Sequence, residues 1–386
     1  GMDALPATFE LFVRRLPKDR SYLVFAGLEQ ALGDLIRLAF SSDQIDALRR
    51  WPVFGAVDPS FFAWLETLRF RGDVWAVAEG TVVFEGEPLV RVQAPLAQAQ
   101  WIETFLLASL SYPTLVASKA ARIVEAASGR PLYDFGARRA PGPHASLLAA
   151  RAAYVAGFDG TSNVEASLRL GIPCVGTMAH SWVQSFDGEK QAFSAFARLF
   201  PTASTMLVDT YDTERGVATA GTLDPPVLGV RLDSGDLSAL SRSARQLLDA
   251  HDRSTVRIFA SGDLDEFRIA RLLVEGAPID AFGVGTELVA SREAPALSMV
   301  YKLVELDGQG RIKLSSGKTT YPRAKQVYRT FDADGRLARD TVALADESAD
   351  GEPLLHPVVR NGVLEPLPRL AELRDRVLDA PRRRRV

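Results

Sequence analysis

Between residues 131 and 290 one pattern recurs six times: a short apolar run, a polar and often glycine-rich loop, then a stretch with helical spacing. The runs are PLYDFGARR, IPCVGTMAHSW, STMLVDTYDT, PVLGVRLDSGDL, VRIFASGDLDE and IDAFGVGTEL. Strands that alternate with helices are joined by crossovers, and crossovers build a parallel sheet. A parallel strand is covered on both faces and so reads as a continuous apolar run, as these do. In such folds the reactive groups gather at the C-terminal strand ends. The polar clusters of this chain stand at those ends each time. The pattern predicts a barrel-like α/β domain with one active site at its mouth.

The flanking text has another character. Residues 3–70 read as mixed helix and strand, with helical spacing at the end of Tyr22–Ile36 and again in Phe61–Leu68. The stretch DVWAVAEGTVVFEGEPLVRVQAPLAQ is rich in Val and punctuated by Glu79-Gly80 and Glu85-Gly86-Glu87-Pro88, which predicts short strands joined by tight turns. A helix is expected over roughly 97–126, with Pro113 marking a break. After residue 300, the runs YKLVEL, RIKLSS, KQVYRTF and DGRLARDTVAL fit hairpins with Asp-Gly turns, and Leu370–Leu378 reads as a charged helix. A chain of 386 residues is long for a single core. Two domains are expected: residues 1–115 with 303–386 as one α+β unit, and 116–302 as the barrel.

Composition narrows the function classes. The net charge of -3 gives no basic footprint, so no nucleic-acid partner is expected. An anionic substrate must instead be met by local Arg and Lys groups and backbone amides. Cys174 is the only cysteine, which excludes an internal disulfide and a cysteine-rich zinc site and makes a reducing cytoplasm the default setting. No apolar run reaches the ~18 residues of a membrane span, so no membrane association is expected. The basic run Arg382 to Arg385 reads as a solvated end.

Several clusters could carry chemistry. Asp233 to Leu237, DSGDL, follows a buried run with Arg231 just before it, and Ser261–Glu266 repeats the theme as SGDLDE. Such loops suit sugar hydroxyls or a metal-bound pyrophosphate, and they equally suit a helix N-cap. Gly283–Leu288, GVGTEL, places glycines and the Thr286 hydroxyl at a helix start, as a phosphate cradle requires. SSGKTT at Ser315–Thr320 is not a nucleotide P-loop, because its first glycine would fall at Ile312, and it reads as a basic loop able to reach phosphate. Arg138 and Arg139 offer paired guanidinium groups for phosphate. Among His144, His180, His251 and His356, only His180 follows an apolar run at an expected strand end. A neutral imidazole there could act as a nucleophile, oriented by Asp209 or Asp212. His251 lies in a helix-to-strand connection and is expected to be inert.

In order and spacing, FELFVRRLP, YLVFAGLEQAL, YDFGARRA, GFDGTSNV, GIPCVGTMAHSW, VDTYDT, VRLDSGDL, FGVGTEL and VYKLVEL resemble the nicotinate phosphoribosyltransferase family, from about Phe9 to Tyr328. The resemblance implies a type II phosphoribosyltransferase fold: an incomplete parallel α/β barrel plus an α+β sandwich built from both chain ends. It implies the joining of nicotinate to phosphoribosyl pyrophosphate in NAD biosynthesis, coupled to ATP hydrolysis through a phosphorylated histidine. His180 in TMAHSW matches that histidine, with Asp209 as its partner. Arg138 would contact phosphates, Phe135 would stack on the pyridine ring, and Arg231 and Asp233 would hold the ribose side. Gly262, Asp263, Gly283 and Gly285 would line the 5′-phosphate pocket, and Ser261 and Thr286 are also expected to bind substrate. Mg2+ would arrive with phosphoribosyl pyrophosphate or ATP, and the family works as a homodimer with shared active sites.

Ser162 bears on specificity. Related nicotinamide-using enzymes carry an Asp at the matching position, which accepts from an amide but repels a carboxylate. A serine can donate to a carboxylate, so this position favours nicotinate. Family members usually begin with a Thr-Asp-x-Tyr segment upstream of the FELFVRRLP-like text. A tyrosine from it, donated by the partner subunit, covers the second face of the ring. The present sequence starts downstream of that segment, which implies a weaker or differently built ring pocket. Two other readings stand beside this one: a quinolinate phosphoribosyltransferase, needing extra basic groups and no ATP-linked histidine, and a non-catalytic metabolite-binding paralogue.

Overall fold

A computed structural model describes residues 2–315 and 320–378; most of SSGKTT and the basic run Arg382 to Arg385 lie outside the described residues. The chain divides into two compact units, residues 115–295 and residues 1–114 with 296–386.

The first unit carries a six-stranded sheet. Its strands are β1 (Leu132–Asp134), β2 (Gly160–Thr161), β3 (Thr205–Leu207), β4 (Gly229–Leu232), β5 (Arg257–Ala260) and β6 (Ala281–Val284). Their order is β2-β1-β6-β5-β4-β3, and every pairing is parallel. This is the expected incomplete barrel. All four residues of β6 are buried, as two-sided cover requires.

One strand is not where the repeated pattern placed it. In IPCVGTMAHSW only Cys174 joins the sheet, through an isolated parallel bridge to Thr161. The remaining strand of the six is instead β2, within GFDGTSNV. Thr161 donates its N–H to the Pro173 carbonyl at 3.0 Å, and Val175 donates to the Thr161 carbonyl at 2.9 Å. Pro173 has no N–H to extend the ladder, so the pairing stops there. His180 consequently stands at the start of a short helix, His180–Gln184, after an irregular stretch rather than directly on a strand.

The second unit is built around an antiparallel sheet of seven strands drawn from both chain ends. Pro6–Val13 lies between Met299–Leu306 and Pro88–Pro95, and Asp73–Val77 and Leu355–Arg360 extend the latter side. Phe9, Leu11 and Val13 alternate into the core, and Phe9 stacks on Tyr301 with ring centres 4.8 Å apart. A smaller sheet pairs Lys325–Phe331 with Leu337–Leu344 across the expected Asp334-Gly335 turn. Gly80 and Gly86 turn in the left-handed region between the short strands of the Val-rich stretch. RIKLSS forms no strand over residues 311–315. Met299–Leu306 pairs along its length with Pro6–Val13, so a boundary at 302/303 would divide it; the units part between Pro295 and Ala296.

Pro113 does not end its helix. It sits inside Glu103–Ala126, and the interruption falls at Ile102, between that helix and Leu96–Trp101. An interior proline costs about 3 kcal/mol. Here Leu110, Leu115, Val116 and Ala117 are nearly all fully buried around it, and their packing offsets that cost.

Candidate active site

The C-terminal strand ends of the parallel sheet open on a cavity of about 590 Å³. Phe135, Arg138, Arg139, Ser162, His180, Arg231, Asp233, Ser261, Gly262, Asp263, Gly283, Gly285 and Thr286 all line it. Asp209 is not among the lining residues; its side chain is 2% exposed, beside His180.

Arg231, on β4, is the central crosslink. Its Nε donates to Ser261 Oγ at 2.8 Å, its first terminal nitrogen to Thr177 Oγ1 at 2.7 Å, and its second to Asp233 Oδ1 at 2.8 Å. Ser261 Oγ also donates to Asp233 Oδ1, at 2.5 Å. Burial pushes the Asp233 carboxyl up, but the Arg231 charge, the hydrogen bonds from Ser261 and Arg231, and nearby His180 together hold it below the usual carboxylate range. Asp233 is therefore an anion at neutral pH, fixed in direction.

The two Asp-rich loops divide their labour. In DSGDL, Asp236 caps the helix Leu237–Ala250 by accepting from Ser238 and Ala239 amides, while Asp233 faces the cavity. In SGDLDE, Asp265 caps Glu266–Val274, while Asp263 lines the cavity. The cap expected from the sequence is made by Asp236 and Asp265, which leaves Asp233 and Asp263 on the cavity wall.

Gly262 and Gly283 are demanded by close approach. Gly262 has φ +96°, and a Cβ there would lie 2.0 Å from the Asp233 carbonyl oxygen. A Cβ on Gly283 would meet the Phe135 ring at 2.7 Å. Phe135 stacks on Phe259 with ring centres 5.6 Å apart, and the Arg231 guanidinium lies 5.3 Å from the Phe135 ring centre.

His180 meets two neighbours. Its Nδ1 shares a hydrogen bond with Thr210 Oγ1 at 3.1 Å, and its Nε2 lies 4.0 Å from Asp209 Oδ1. Asp209 Oδ2 accepts from the Asp233 N–H at 3.2 Å and the Ser234 hydroxyl at 2.7 Å. Its buried Oδ1 has no hydrogen-bond donor among the described residues, which leaves an uncompensated acceptor aimed at the imidazole. Asp212, the alternative partner, is occupied elsewhere: it caps Thr213–Gly221 through the Arg215 amide.

Comparison with known proteins decides the family. The model of the nicotinate phosphoribosyltransferase N-terminal domain matches residues 1–111, and that of the nicotinate phosphoribosyltransferase family matches residues 131–342. A nicotinate phosphoribosyltransferase of Mycobacterium tuberculosis is 50% identical over 92% of this chain and 77% of its own length. The chain belongs to the nicotinate phosphoribosyltransferase family. The crystal structure of human nicotinic acid phosphoribosyltransferase superposes with a TM-score of 0.86 at 32% identity, covering 100% of this chain and 91% of that one. A structure titled nicotinate-nucleotide pyrophosphorylase, from Pyrococcus furiosus, does so with 0.80 at 26% identity, covering 97% and 89%.

Three site hydroxyls not expected from the sequence are Thr177, Thr210 and Ser234, which bond to Arg231, His180 and Asp209. Each adjoins a charged or reactive residue in the linear text, yet nothing in the spacing shows which partner it meets. His251 caps the end of Leu237–Ala250, away from the cavity lining. Among the described residues no group of three or more His, Cys, Asp and Glu is placed to hold a metal, and no helix is long and apolar enough to cross a membrane.

Proposed function

We propose that the chain catalyses phosphoribosyl transfer to nicotinate, giving nicotinate mononucleotide and pyrophosphate for NAD biosynthesis, coupled to ATP hydrolysis at His180. The observation that carries this reading is the convergence of Phe135, Ser162, Arg138, Arg231, Asp233 and His180 on one cavity of a family member.

The pyridine nitrogen attacks the anomeric carbon of phosphoribosyl pyrophosphate as the carbon–oxygen bond to pyrophosphate breaks. The bonding electron pair departs with pyrophosphate, and no proton transfer is needed. Positive charge gathers on the ribose ring in the transition state. The Asp233 carboxylate, held ionised and oriented by Arg231 and Ser261, opposes that charge without reorganising. Phe135 supplies the stacking surface for the pyridine ring and Ser162 a donor for its carboxylate. Arg138 meets phosphate, and the loops around Gly262, Asp263, Gly283, Gly285 and Thr286 hold the 5′-phosphate through backbone amides.

Mg2+, when bound with substrate, would supply charge neutralisation for the leaving pyrophosphate. The cavity's sparse carboxylates, Asp233 and Asp263, fit an ion held largely by substrate oxygens. In the coupled step a ring nitrogen of His180 takes the terminal phosphoryl group of ATP and ADP leaves; water later cleaves the nitrogen–phosphorus bond. Asp209, with its unsatisfied oxygen toward the ring, stabilises the positive imidazole this creates. The working form is a homodimer with shared sites. Incubation with terminally labelled ATP tests the coupling: label enters the wild-type protein and not His180→Ala. Equal label on both would overturn it.

A further inference from the structure

One buried carboxyl below the cavity has none of the roles assigned above. Asp134 closes β1 and is 1% exposed. Its Oδ1 accepts the Gly136 N–H at 2.8 Å, and its Oδ2 accepts the Thr161 hydroxyl at 2.7 Å. Its backbone carbonyl accepts the Ser162 N–H at 2.8 Å, and Thr161 Oγ1 accepts the Asn163 N–H at 3.0 Å. A single residue thus fastens two strand-end loops. The loop after β1 carries Phe135 and Arg138; the loop after β2 carries Ser162.

The energetics favour a positioning purpose. Burial raises the Asp134 carboxyl above its ordinary range, while the hydrogen bonds from Gly136 and Thr161 pull it down. Burying such a group is costly unless every polar neighbour is paired, and removing it would leave the Gly136 amide and Thr161 hydroxyl without their acceptor. Gly136 is also pinned from the other side, since a Cβ there would strike Val289 at 2.2 Å. The turn bearing Phe135 is therefore held between Asp134 and Val289 of the helix Thr286–Ala290.

We infer that Asp134 is a positioning residue for the ring pocket: its carboxyl ties the Phe135 loop to the Ser162 loop and so sets the spacing between the aromatic face and the hydroxyl. A planar aromatic carboxylate fits only when that spacing is correct. The inference rests on the proposal that Phe135 and Ser162 hold nicotinate.

Thr161→Val is the sharper variant, because it is nearly isosteric and cuts the Oδ2 tie, along with the Asn163 amide's acceptor, while leaving the Gly136 tie. Steady-state kinetics should show the nicotinate KM raised about tenfold, since misplacements near 1 Å carry penalties of that order and above. The KM for phosphoribosyl pyrophosphate and kcat should stay within about threefold, and the preference for nicotinate over nicotinamide should fall. Asp134→Asn keeps an acceptor for Gly136 and offers an amide to Thr161 Oγ1, so it should retain more nicotinate affinity than Asp134→Ala. Equilibrium dialysis with labelled nicotinate gives an independent readout if turnover is slow. Unchanged nicotinate affinity in a normally melting Thr161→Val overturns the inference alone. So does an equal loss toward both substrates and in kcat, which marks a general structural role. A wild-type protein that neither binds nor converts nicotinate overturns the functional proposal and this inference together.

Discussion

At the scale of single residues the site depends on a few contacts with no slack. Gly262 is the clearest. Its positive φ and the 2.0 Å approach of any Cβ to the Asp233 carbonyl exclude a side chain. Gly262→Ala must displace the Asp233 loop, so kcat/KM should fall by about 100-fold or more, the scale expected when reacting groups move by about 1 Å. Steady-state assays varying phosphoribosyl pyrophosphate check this, and a loss under threefold would contradict it. His180 shows the limit of reading residues singly. The order of TMAHSW and VDTYDT pointed to His180 and Asp209, and the structure brings these two within 4.0 Å. Spacing alone left Asp212 open beside Asp209, because both follow one apolar run. The helix settles it: Asp212 caps Thr213–Gly221, while Asp209 Oδ1 lies 4.0 Å from His180 Nε2.

At the scale of elements the strands were legible because cover on both faces writes continuous apolar runs into the text. Five of the six runs contain a strand of the sheet. IPCVGTMAHSW looked like the others but pairs through Cys174 alone, since Pro173 withholds an amide. Its place is taken by Gly160–Thr161, only two residues long and too short to show a period. Pro113 misled for the opposite reason, as packing outweighed a local rule. The Asp-rich loops yield a test of divided labour. Asp265→Ala removes the cap on Glu266–Val274 and should lower stability by about 1 kcal/mol with kcat little changed. Asp263→Ala should raise the KM for phosphoribosyl pyrophosphate with little effect on melting. Melting curves and kinetics on the pair decide it, and identical effects would refute the division.

At the scale of the whole molecule, stability carries a pH dependence seated away from the cavity. In the sandwich unit, the buried Glu87 carboxyl is pushed up to about 8, first by burial and further by the Asp340 carboxylate, against the hydrogen bond from Phe84 and the charge of Arg329. Arg329 is already engaged by Asp340 and by the Val82 carbonyl. The folded state therefore holds a proton that the unfolded chain releases near pH 4.5. Folding stability from this group is complete below that pH and is lost as pH rises toward about 8. Glu87→Gln removes the linkage and should raise the melting midpoint at pH 8 relative to wild type, by about 2–4 °C per kcal/mol for a domain of this size. At pH 5 the two should differ little. A lower midpoint for Glu87→Gln at pH 8 would contradict the assignment.

On the proposed assignment, the family fold presents a ring pocket that selects a carboxylate and a ribose site on Arg231 and Asp233. Its most direct test is product formation from phosphoribosyl pyrophosphate with nicotinate, nicotinamide or quinolinate as the sole acceptor, with ATP and Mg2+ present. The account predicts nicotinate mononucleotide from nicotinate, with nicotinamide and quinolinate used far more slowly. Preferential use of quinolinate, or no turnover while nicotinate still binds, would contradict it.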